Sequence, residues 1–312
     1  MKIRLTGQLK RLIGMVQGGP AAFELTEPFR GAHDISDVTE CLNRFDPEND
    51  AFLQSGDDLP GKCFVCGEMV PFMVDRPPDG LPVNWRETLA CSGCGMINRW
   101  RGCIHLFEAV CRPSKEDRIY LTEALGPVAE SLGAKYENLV SSEFSSDADR
   151  GALIERRGEQ IRNEDVTRLT FPDEHFDSVL SFDVLEHVPN YQNAISEFYR
   201  VLGEGGHLVL TAPFSFRQET TVRAVFEEDG EIRHLVEPCY HGDPLSDGGV
   251  LAFYDFGMDL LDLLRQTGFR AAALVYYSSN EWGYPGPNVA FVARKQSFRG
   301  MLKTVFTRGK DT

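Results

Sequence analysis

The sequence lacks any long apolar run, and this excludes a helix that crosses a membrane by itself. Hydrophobic residues make up 42% of the 312 positions, but no stretch reaches the roughly 18 consecutive apolar residues that a spanning helix needs. Polar and glycine residues interrupt the first segment, so we expect no secretory signal there. Charged residues make up 25%, a value typical of folded proteins. We expect a cytoplasmic chain with one α/β domain and a smaller module.

Basic residues are scarce in the body of the chain. The formal net charge is -15, yet residues 1–23 and 294–312 together hold 10 of the 32 bases and only one acid. The remaining body therefore carries about -24, which repels a phosphate backbone and argues against long nucleic acid as a partner.

The two basic ends also contain apolar residues. Within 1–16 these recur at helical spacing, and the tail 298–312 is similarly mixed. Two interpretations stay open: the ends dock on the body of the protein or hang loosely, or they contact an anionic membrane peripherally. The sequence does not indicate an oligomeric state.

Cysteines number eight, and four of them form two CxxC pairs. Cys63 and Cys66 are followed by a glycine, as are Cys91 and Cys94. Such a glycine lets the backbone turn tightly, so that amides can face the thiolates. Four thiolates form the closed tetrahedral site of a structural zinc ion, which leaves no position for catalysis. We predict a zinc module over 61–112, with the other cysteines as buried thiols: Cys41, Cys103, Cys111 and Cys239.

Short apolar strands alternate with helices from Arg118 onward, a pattern typical of a parallel sheet covered on both faces. It predicts a seven-stranded, Rossmann-like α/β sheet within a domain at 113–297. The predicted strands are 118–122, 138–142, 160–164, 177–182, 207–212, 270–277 and 288–294. Helices are expected at about 190–202 and 256–267 because apolar residues share one face in each.

The remaining segments carry little periodic pattern. Residues 1–60 are interpreted as a tail and a linker or irregular wrap. A long stretch at 214–254, rich in charge, histidine, proline and glycine, interrupts the α/β domain. Connections of this length inside a compact domain are usually functional, so we predict a lid there.

The most specific motif lies between residues 176 and 214. It reads FDSVLSFDVLEHVPN up to Asn190 and, after a helix, RVLGEGGHLVLTAPF from Arg200 to Phe214. The order and spacing of these pieces resemble class I S-adenosylmethionine-dependent methyltransferases, and the resemblance covers about 118–295. It implies S-adenosylmethionine as the cofactor, bound beyond the carboxyl ends of the strands.

Residues at successive strand ends are those that the resemblance assigns to the cofactor. Glu143 is expected to bond both ribose hydroxyls, and Asp165 to lie beside the adenine amino group. The Val166 amide would face a ring nitrogen. Phe182 and Asp183 close the fourth strand and would face the methionine part of the cofactor.

The turn after the first strand departs from the family pattern. Members usually carry a glycine-rich turn, whereas this one reads LTEALGP and has Gly126 as its only glycine. We expect Thr122, Glu123 and Gly126 to face the cofactor, with Glu123 a candidate to hold its amino group. A nicotinamide cofactor is disfavoured because the turn has no GxGxxG.

Histidines are the candidate catalytic residues. His187 ends the DVLEH motif and is the first candidate for the base that takes a proton from the methyl acceptor. The lid contributes His234 and His241, of which His234 is preferred. Together with Asp183 and Glu186, these histidines also suit a divalent cation, since some families with a similar Glu–His pair bind Mg²⁺ there. We favour the base, because a site poor in carboxylates suits Mg²⁺ badly.

Three functions remain open for this sequence. The first is O-methylation of a small molecule or glycan, which we favour. The second is methylation of a protein or RNA held by the zinc module, although the acidic body disfavours RNA. The third is a non-catalytic, zinc-bearing scaffold, which the altered glycine turn makes conceivable. Binding of S-adenosylhomocysteine separates the third function from the first two.

Overall fold

The structure is a computed structural model that describes residue 19 and residues 22–56, 58–77, 81–243 and 246–296. The segments 1–16 and 298–312 fall outside the described residues, so their docking or membrane contact stays a prediction. No helix in the described ranges is both long and apolar enough to cross a membrane.

The described residues contain five α-helices, a 3-10 turn at Leu185–His187 and eighteen strands. The helices are α1 (Ile35–Arg44), α2 (Asn98–Cys111), α3 (Pro127–Lys135), α4 (Tyr191–Val201) and α5 (Asp259–Thr267). The strands are β1 (Phe29–Ala32), β2 (Asp58–Lys62), β3 (Met69–Met73), β4 (Ala90–Cys91), β5 (Arg118–Leu121), β6 (Asn138–Glu143), β7 (Leu153–Arg156), β8 (Glu159–Asn163), β9 (Phe176–Phe182), β10 (Leu202–Thr211), β11 (Thr221–Val222), β12 (Ala224–Phe226), β13 (Ile232–His234), β14 (Tyr240–Asp243), β15 (Ser246–Leu251), β16 (Tyr254–Asp255), β17 (Ala271–Ser279) and β18 (Tyr284–Arg294).

Nine strands form one sheet in the order β1-β17-β18-β10-β9-β5-β6-β8-β7. The five strands from β10 to β8 are parallel, and the strands outside them pair antiparallel. This confirms the predicted Rossmann-like α/β fold. All seven predicted strands lie in the sheet, and β1 and β7 extend its two edges. The chain builds outward in opposite directions from β5 and β9, so their carboxyl ends meet at a switch in strand order.

Helices cover both faces of this sheet. One apolar cluster joins α1, α4 and α5 to one face, and a second joins α2 and α3 to the other. Helix α4 buries Ile195 and Phe198 as its periodicity predicts. Helix α5 ends at Gly268, whose φ of +120° favours glycine. Although α2 lies within the predicted cysteine module, its buried face packs with the large sheet.

The segment predicted as a linker is partly regular. Residues 29–32 form β1, which pairs with β17, and α1 follows directly. Asp34 caps α1 by accepting a hydrogen bond from the Ser36 amide at 2.7 Å. The interpretation of 24–60 as an irregular wrap is therefore wrong for these residues, because one short edge strand and a ten-residue helix leave little periodic pattern in a sequence.

The cysteine module and the lid are built from small antiparallel sheets. Strands β2, β3 and β4 form a three-stranded sheet around a small apolar core that includes Leu59, Phe72 and Trp85. Within the predicted lid at 214–254, three pairs of short strands form, namely β11 with β16, β12 with β13, and β14 with β15. The described residues of this segment thus form two hairpins, and the pairing of β11 with β16 joins the two ends of the segment.

Substitution of two helical glycines by alanine should have opposite effects on the free energy of unfolding. A Cβ on Gly102 in α2 would lie 2.5 Å from Tyr277 Oη, which belongs to a buried side chain, so Gly102→Ala should lower the free energy of unfolding by about 1–3 kcal/mol. A Cβ on Gly133 in α3 would meet only Leu139, at 3.8 Å, so Gly133→Ala should raise it by about 0.5–1 kcal/mol. Urea denaturation of both variants measures these changes, and equal effects would contradict the packing of α2.

Candidate functional site

Four cysteine sulfurs converge at the end of the small sheet. Cys63, Cys66, Cys91 and Cys94 place their Sγ atoms within 4.8 Å of one another. Cys63 and Cys94 are separated by 3.8 Å, and Cys66 and Cys91 by 3.7 Å. Tetrahedral zinc with Zn–S bonds of about 2.3 Å requires sulfur–sulfur edges of roughly 3.8 Å. The cluster is therefore compatible with the predicted structural zinc ion.

The backbone around the cluster repeats the same turn twice. Gly67 and Gly95 both have positive φ, of +75° and +71°. Their amides donate to the carbonyls of Cys63 and Cys91, each at 2.8 Å. The turns also bring the Cys66 amide to Cys63 Sγ at 3.4 Å. Amides that face the sulfurs stabilise thiolates, as the CxxCG spacing predicts.

A cavity of about 1670 Å³ opens at the carboxyl ends of β5, β6, β8 and β9. Small-ligand pockets typically measure about 300–1,000 Å³, so this cavity has room for a cofactor and an acceptor together. Every residue that the sequence predicts to contact the cofactor lines it: Thr122, Glu123, Gly126, Glu143, Asp165, Val166, Phe182 and Asp183.

Glu143 lies at the end of β6 and faces the turn that follows β5. Its Oε1 accepts hydrogen bonds from the amides of Ala124 and Leu125, at 2.9 and 3.0 Å. These bonds hold the carboxylate at the cavity wall. The carboxylate therefore lies where the ribose of the predicted cofactor would be.

Gly126 begins α3 with a φ of +113°, in the region that favours glycine. A Cβ added there would meet no atom within 4 Å, so the turn is open at this position. Pro127 follows as the first helical residue, where its missing amide costs nothing. The single glycine of the turn therefore lies at the cavity wall, in a conformation that glycine adopts readily.

Glu123 is half-buried at the wall of the same cavity. Burial raises its pKa to about 8, although Arg99 opposes the shift. Its Oε2 has no hydrogen-bond partner among the described residues. A buried carboxyl group without a partner is costly unless a cation or donor reaches it, and this suits the predicted contact with an amino group.

Asp165 and Val166 lie on the far side of Glu143 from β5. The Asp165 carboxylate accepts from the Thr167 amide at 2.9 Å and from its hydroxyl at 2.7 Å, which fixes its orientation. Val166 is buried. The order of strands thus places Asp165, Glu143 and Glu123 in a row along the cavity.

Asp183 occupies a left-handed conformation, with φ of +54°, directly after β9. One carboxylate oxygen accepts from Arg86, and the other accepts from Arg99 Nη1 at 2.7 Å and Thr211 Oγ1 at 2.9 Å. Burial alone would raise the pKa of Asp183, but the two guanidinium groups outweigh it and lower the pKa to about 2. Asp183 is therefore an ionised carboxylate held by two arginines.

Glu186, His187 and His241 form a cluster of titratable side chains. The Glu186 side chain is fully buried, and neither of its oxygens makes a hydrogen bond of ordinary geometry within the described residues. Its Oε1 lies 3.3 Å from His241 Nδ1 and 3.7 Å from His187 Nε2. Burial raises the pKa of Glu186, while the interaction with Glu186 raises the pKa of His241.

The lid supplies His241 to this cluster, whereas His234 lies elsewhere. His234 is exposed on β13 and is not among the cavity-lining residues. His187 and His241 both line the cavity, and their rings are 4.9 Å apart in an edge-to-face arrangement. The preference for His234 over His241 therefore has no support in the arrangement of the lid.

Sequence reasoning missed the cationic residues of the site. Arg86 and Arg99 lie in the predicted cysteine module, 97 and 84 positions from Asp183 in the chain. No motif or periodicity marks them, since contacts at such separations arise only from the fold. The sequence shows only that Arg86 lies between the two CxxC pairs and that Arg99 follows the second pair.

Comparison with known proteins agrees with this geometry. Residues 124–210 match a family model described as a methyltransferase domain. This stretch is therefore similar to a methyltransferase domain. The match spans β6, β8, β9 and most of β10, and it includes Glu143, Asp165 and Asp183. A search of curated proteins found no match.

Several solved structures are similar to this chain at low identity. An S-adenosylmethionine-dependent methyltransferase from Mesorhizobium loti is 14% identical, with a TM-score of 0.42, covering 65% of this chain and 100% of that one. The 1,6-didemethyltoxoflavin-N1-methyltransferase of Burkholderia thailandensis is 15% identical, with a TM-score of 0.40, covering 64% and 78%. A methyltransferase from Methanosarcina mazei is 18% identical, with a TM-score of 0.35, covering 62% and 97%.

The cysteine cluster predicts one zinc ion per chain, and metal analysis of unchelated protein measures it. Cys63→Ser should lower the zinc content and the stability of the module, because structural zinc contributes folding free energy directly. Cys41→Ser is the matched control, since Cys41 is a half-buried cysteine outside the cluster. A wild-type protein with far less than one zinc would contradict the prediction.

Proposed function

We propose that this chain is an S-adenosylmethionine-dependent methyltransferase that transfers a methyl group to an oxygen of a small molecule or glycan. The observation that carries the proposal is the single cavity at the strand ends, which is lined by all eight predicted cofactor residues. Its size suits two ligands, and its acceptor side holds titratable side chains. The acidic body of the chain favours a small acceptor over RNA.

The order of strands supports one orientation of the cofactor. Adenine would lie beside Asp165, and the ribose beside Glu143. The methionine part would then extend over β5 and β9, where Glu123 and Asp183 line the cavity. In this orientation the buried Glu123 carboxyl meets the cofactor's amino group and gains the partner that it lacks. The cofactor supplies an electrophilic methyl group, and the protein must position the acceptor and accept a proton.

His187 is positioned for proton transfer by its own backbone contact. Its Nδ1 lies 2.8 Å from the Leu251 carbonyl oxygen. A carbonyl only accepts, so the hydrogen is on Nδ1 in the neutral ring, and Nε2 carries the lone pair. His241 contacts Glu186 through Nδ1, which leaves its Nε2 as a second proton acceptor in the cavity. Either nitrogen fits a general base.

A divalent cation is the alternative role for the same cluster. The lone pair on His187 Nε2 and the Glu186 carboxylate face each other without a donor between them. A proton or a metal ion between these atoms would relieve the repulsion. A ring nitrogen bonded to a backbone carbonyl is also the usual arrangement of a metal-ligating histidine. This observation makes the cation a competitor of the base, and chelation tests it.

Cofactor binding is tested first with S-adenosylhomocysteine and purified wild-type protein. Glu143→Ala should weaken the affinity by about 1.5–3 kcal/mol, the range for hydrogen bonds to a charged group. Glu155→Ala, at an exposed position of the edge strand β7, should leave the affinity unchanged. Calorimetry gives both values. If wild type fails to bind the ligand, the non-catalytic scaffold becomes the better explanation.

The acceptor side is tested by turnover once an acceptor is in hand. Under the base mechanism, His187→Ala should lower kcat about 10²–10⁴-fold and leave cofactor affinity nearly intact. His234→Ala should have little effect, because His234 lies outside the cavity. Under the metal mechanism, EDTA should abolish activity, and Mg²⁺ or Mn²⁺ should restore it. Full turnover in His187→Ala together with no effect of EDTA would exclude both roles.

A further inference from the structure

The zinc module forms one wall of the methyltransferase cavity. Four charged residues meet there, namely Arg86, Glu87, Arg99 and Asp183, and we call them the ion-pair cluster. Arg86 Nη1 contacts Glu87 at 2.5 Å, and Arg99 contacts Glu87 through Nε at 2.9 Å and Nη2 at 3.1 Å. Both arginines also bind Asp183. All four residues line the cavity.

The charges of the ion-pair cluster balance within the cluster itself. Two guanidinium groups face two carboxylates, so the arginines have no excess positive charge to offer to a ligand. Arg99 and Asp183 are also well buried, with side-chain exposures of 14% and 11%. Removal of one partner of a buried, hydrogen-bonded ion pair leaves the other charge buried and unpaired, which destabilises the folded state. The cluster is therefore suited to hold Asp183 in place.

The backbone of the module fixes both arginines relative to each other. The Asn98 side chain donates to the Trp85 carbonyl at 2.8 Å, and the Arg99 amide donates to the Arg86 carbonyl at 3.2 Å. Trp85 itself packs in the apolar core that contains Cys63 and Cys91. The two arginine-bearing segments thus lie side by side.

The predicted zinc ligands Cys91 and Cys94 lie on the loop that connects these two segments. The Cys91 amide donates to the Met96 carbonyl at 3.0 Å, which closes that loop. Zinc bound to both cysteines would hold the loop ends, and with them Arg86 and Arg99, at a fixed separation. Without zinc, the arginines would lose the support that directs them at Asp183.

We propose that the zinc module is a positioning element of the cofactor site: its Arg86 and Arg99 hold Asp183 in the geometry that binds the methionine part of the cofactor. This inference rests on the proposed function, because it takes adenosine to lie over Glu143 and Asp165. Asp183 follows β9 and Glu143 ends β6, and β5 lies between these strands. Displacement of Asp183 should therefore weaken the binding of the amino-acid part of the ligand and leave the binding of the nucleoside unchanged.

The test compares two ligands in zinc-loaded protein. S-adenosylhomocysteine carries the amino-acid part, whereas methylthioadenosine lacks it. Arg99→Gln should lower the affinity for S-adenosylhomocysteine by about tenfold to a hundredfold, the loss expected for a charged hydrogen bond, with little change for methylthioadenosine. A merely structural defect would weaken both ligands alike, so the difference between them is the decisive measurement.

Arg118→Gln is the matched control. Arg118 pairs with Asp177 at the opposite, amino-terminal ends of β5 and β9, at 3.1 Å. Its removal should change neither affinity. Arg86 binds the other carboxylate oxygen of Asp183. Arg86→Gln should therefore also weaken the binding of S-adenosylhomocysteine and leave that of methylthioadenosine nearly unchanged. Zinc content and thermal unfolding of each variant identify those that remain folded and loaded.

The outcomes separate this proposal from the proposed function. If a folded, zinc-loaded Arg99→Gln or Arg86→Gln protein binds S-adenosylhomocysteine as wild type does, the positioning role is overturned and the methyltransferase function stands. If wild type binds neither ligand, the proposed function itself fails. Removal of zinc from wild type by a chelator should reproduce the loss for S-adenosylhomocysteine, and unchanged binding after removal would overturn the role of zinc.

Discussion

A buried guanidinium group joins the cysteine module to the large sheet. Arg101 in α2 is fully buried and stacks on Phe72 of the module at 3.9 Å. It donates to four carbonyl oxygens, on both sides of the junction: Leu89, Met96, Trp282 and Gly283. Burial lowers the pKa of Arg101, and nearby cysteine sulfurs oppose that shift. A zinc ion held by four thiolates has net negative charge, so it would compensate a cation that is satisfied mainly by carbonyls.

That junction explains why the cysteine module and the cavity at the strand ends form one unit. Helix α2 carries Arg101 toward the module and Arg99 toward the cavity, and its apolar face packs on the large sheet. The module is thereby held against the carboxyl ends of β9 and β10, with the lid on the remaining side. The cavity therefore has walls from three sources: the ends of the large sheet, the module and the lid.

Local pattern was sufficient for the predicted strands, because buried parallel strands are short apolar runs and the helices between them keep one apolar face. It was also sufficient for the acids at the strand ends, since the carboxyl ends of parallel strands share one edge. It failed at β1, whose four residues carry no periodic signal. It also favoured His234 over His241, because both histidines lie in one insertion and only the pairing of its hairpins decides which reaches His187.

The sequence by itself determined the α/β fold, the cysteine quartet and the row of cavity-lining residues from Asp165 to Asp183, because each depends on spacing within one or two neighbouring elements. Only the tertiary structure decided that Arg86 and Arg99 meet Asp183, that His241 joins Glu186, and that Arg101 links the module to the sheet. These contacts join residues far apart in the chain. Removing such charges from water is costly unless the fold brings their partners to them, and no local pattern of residues encodes that meeting.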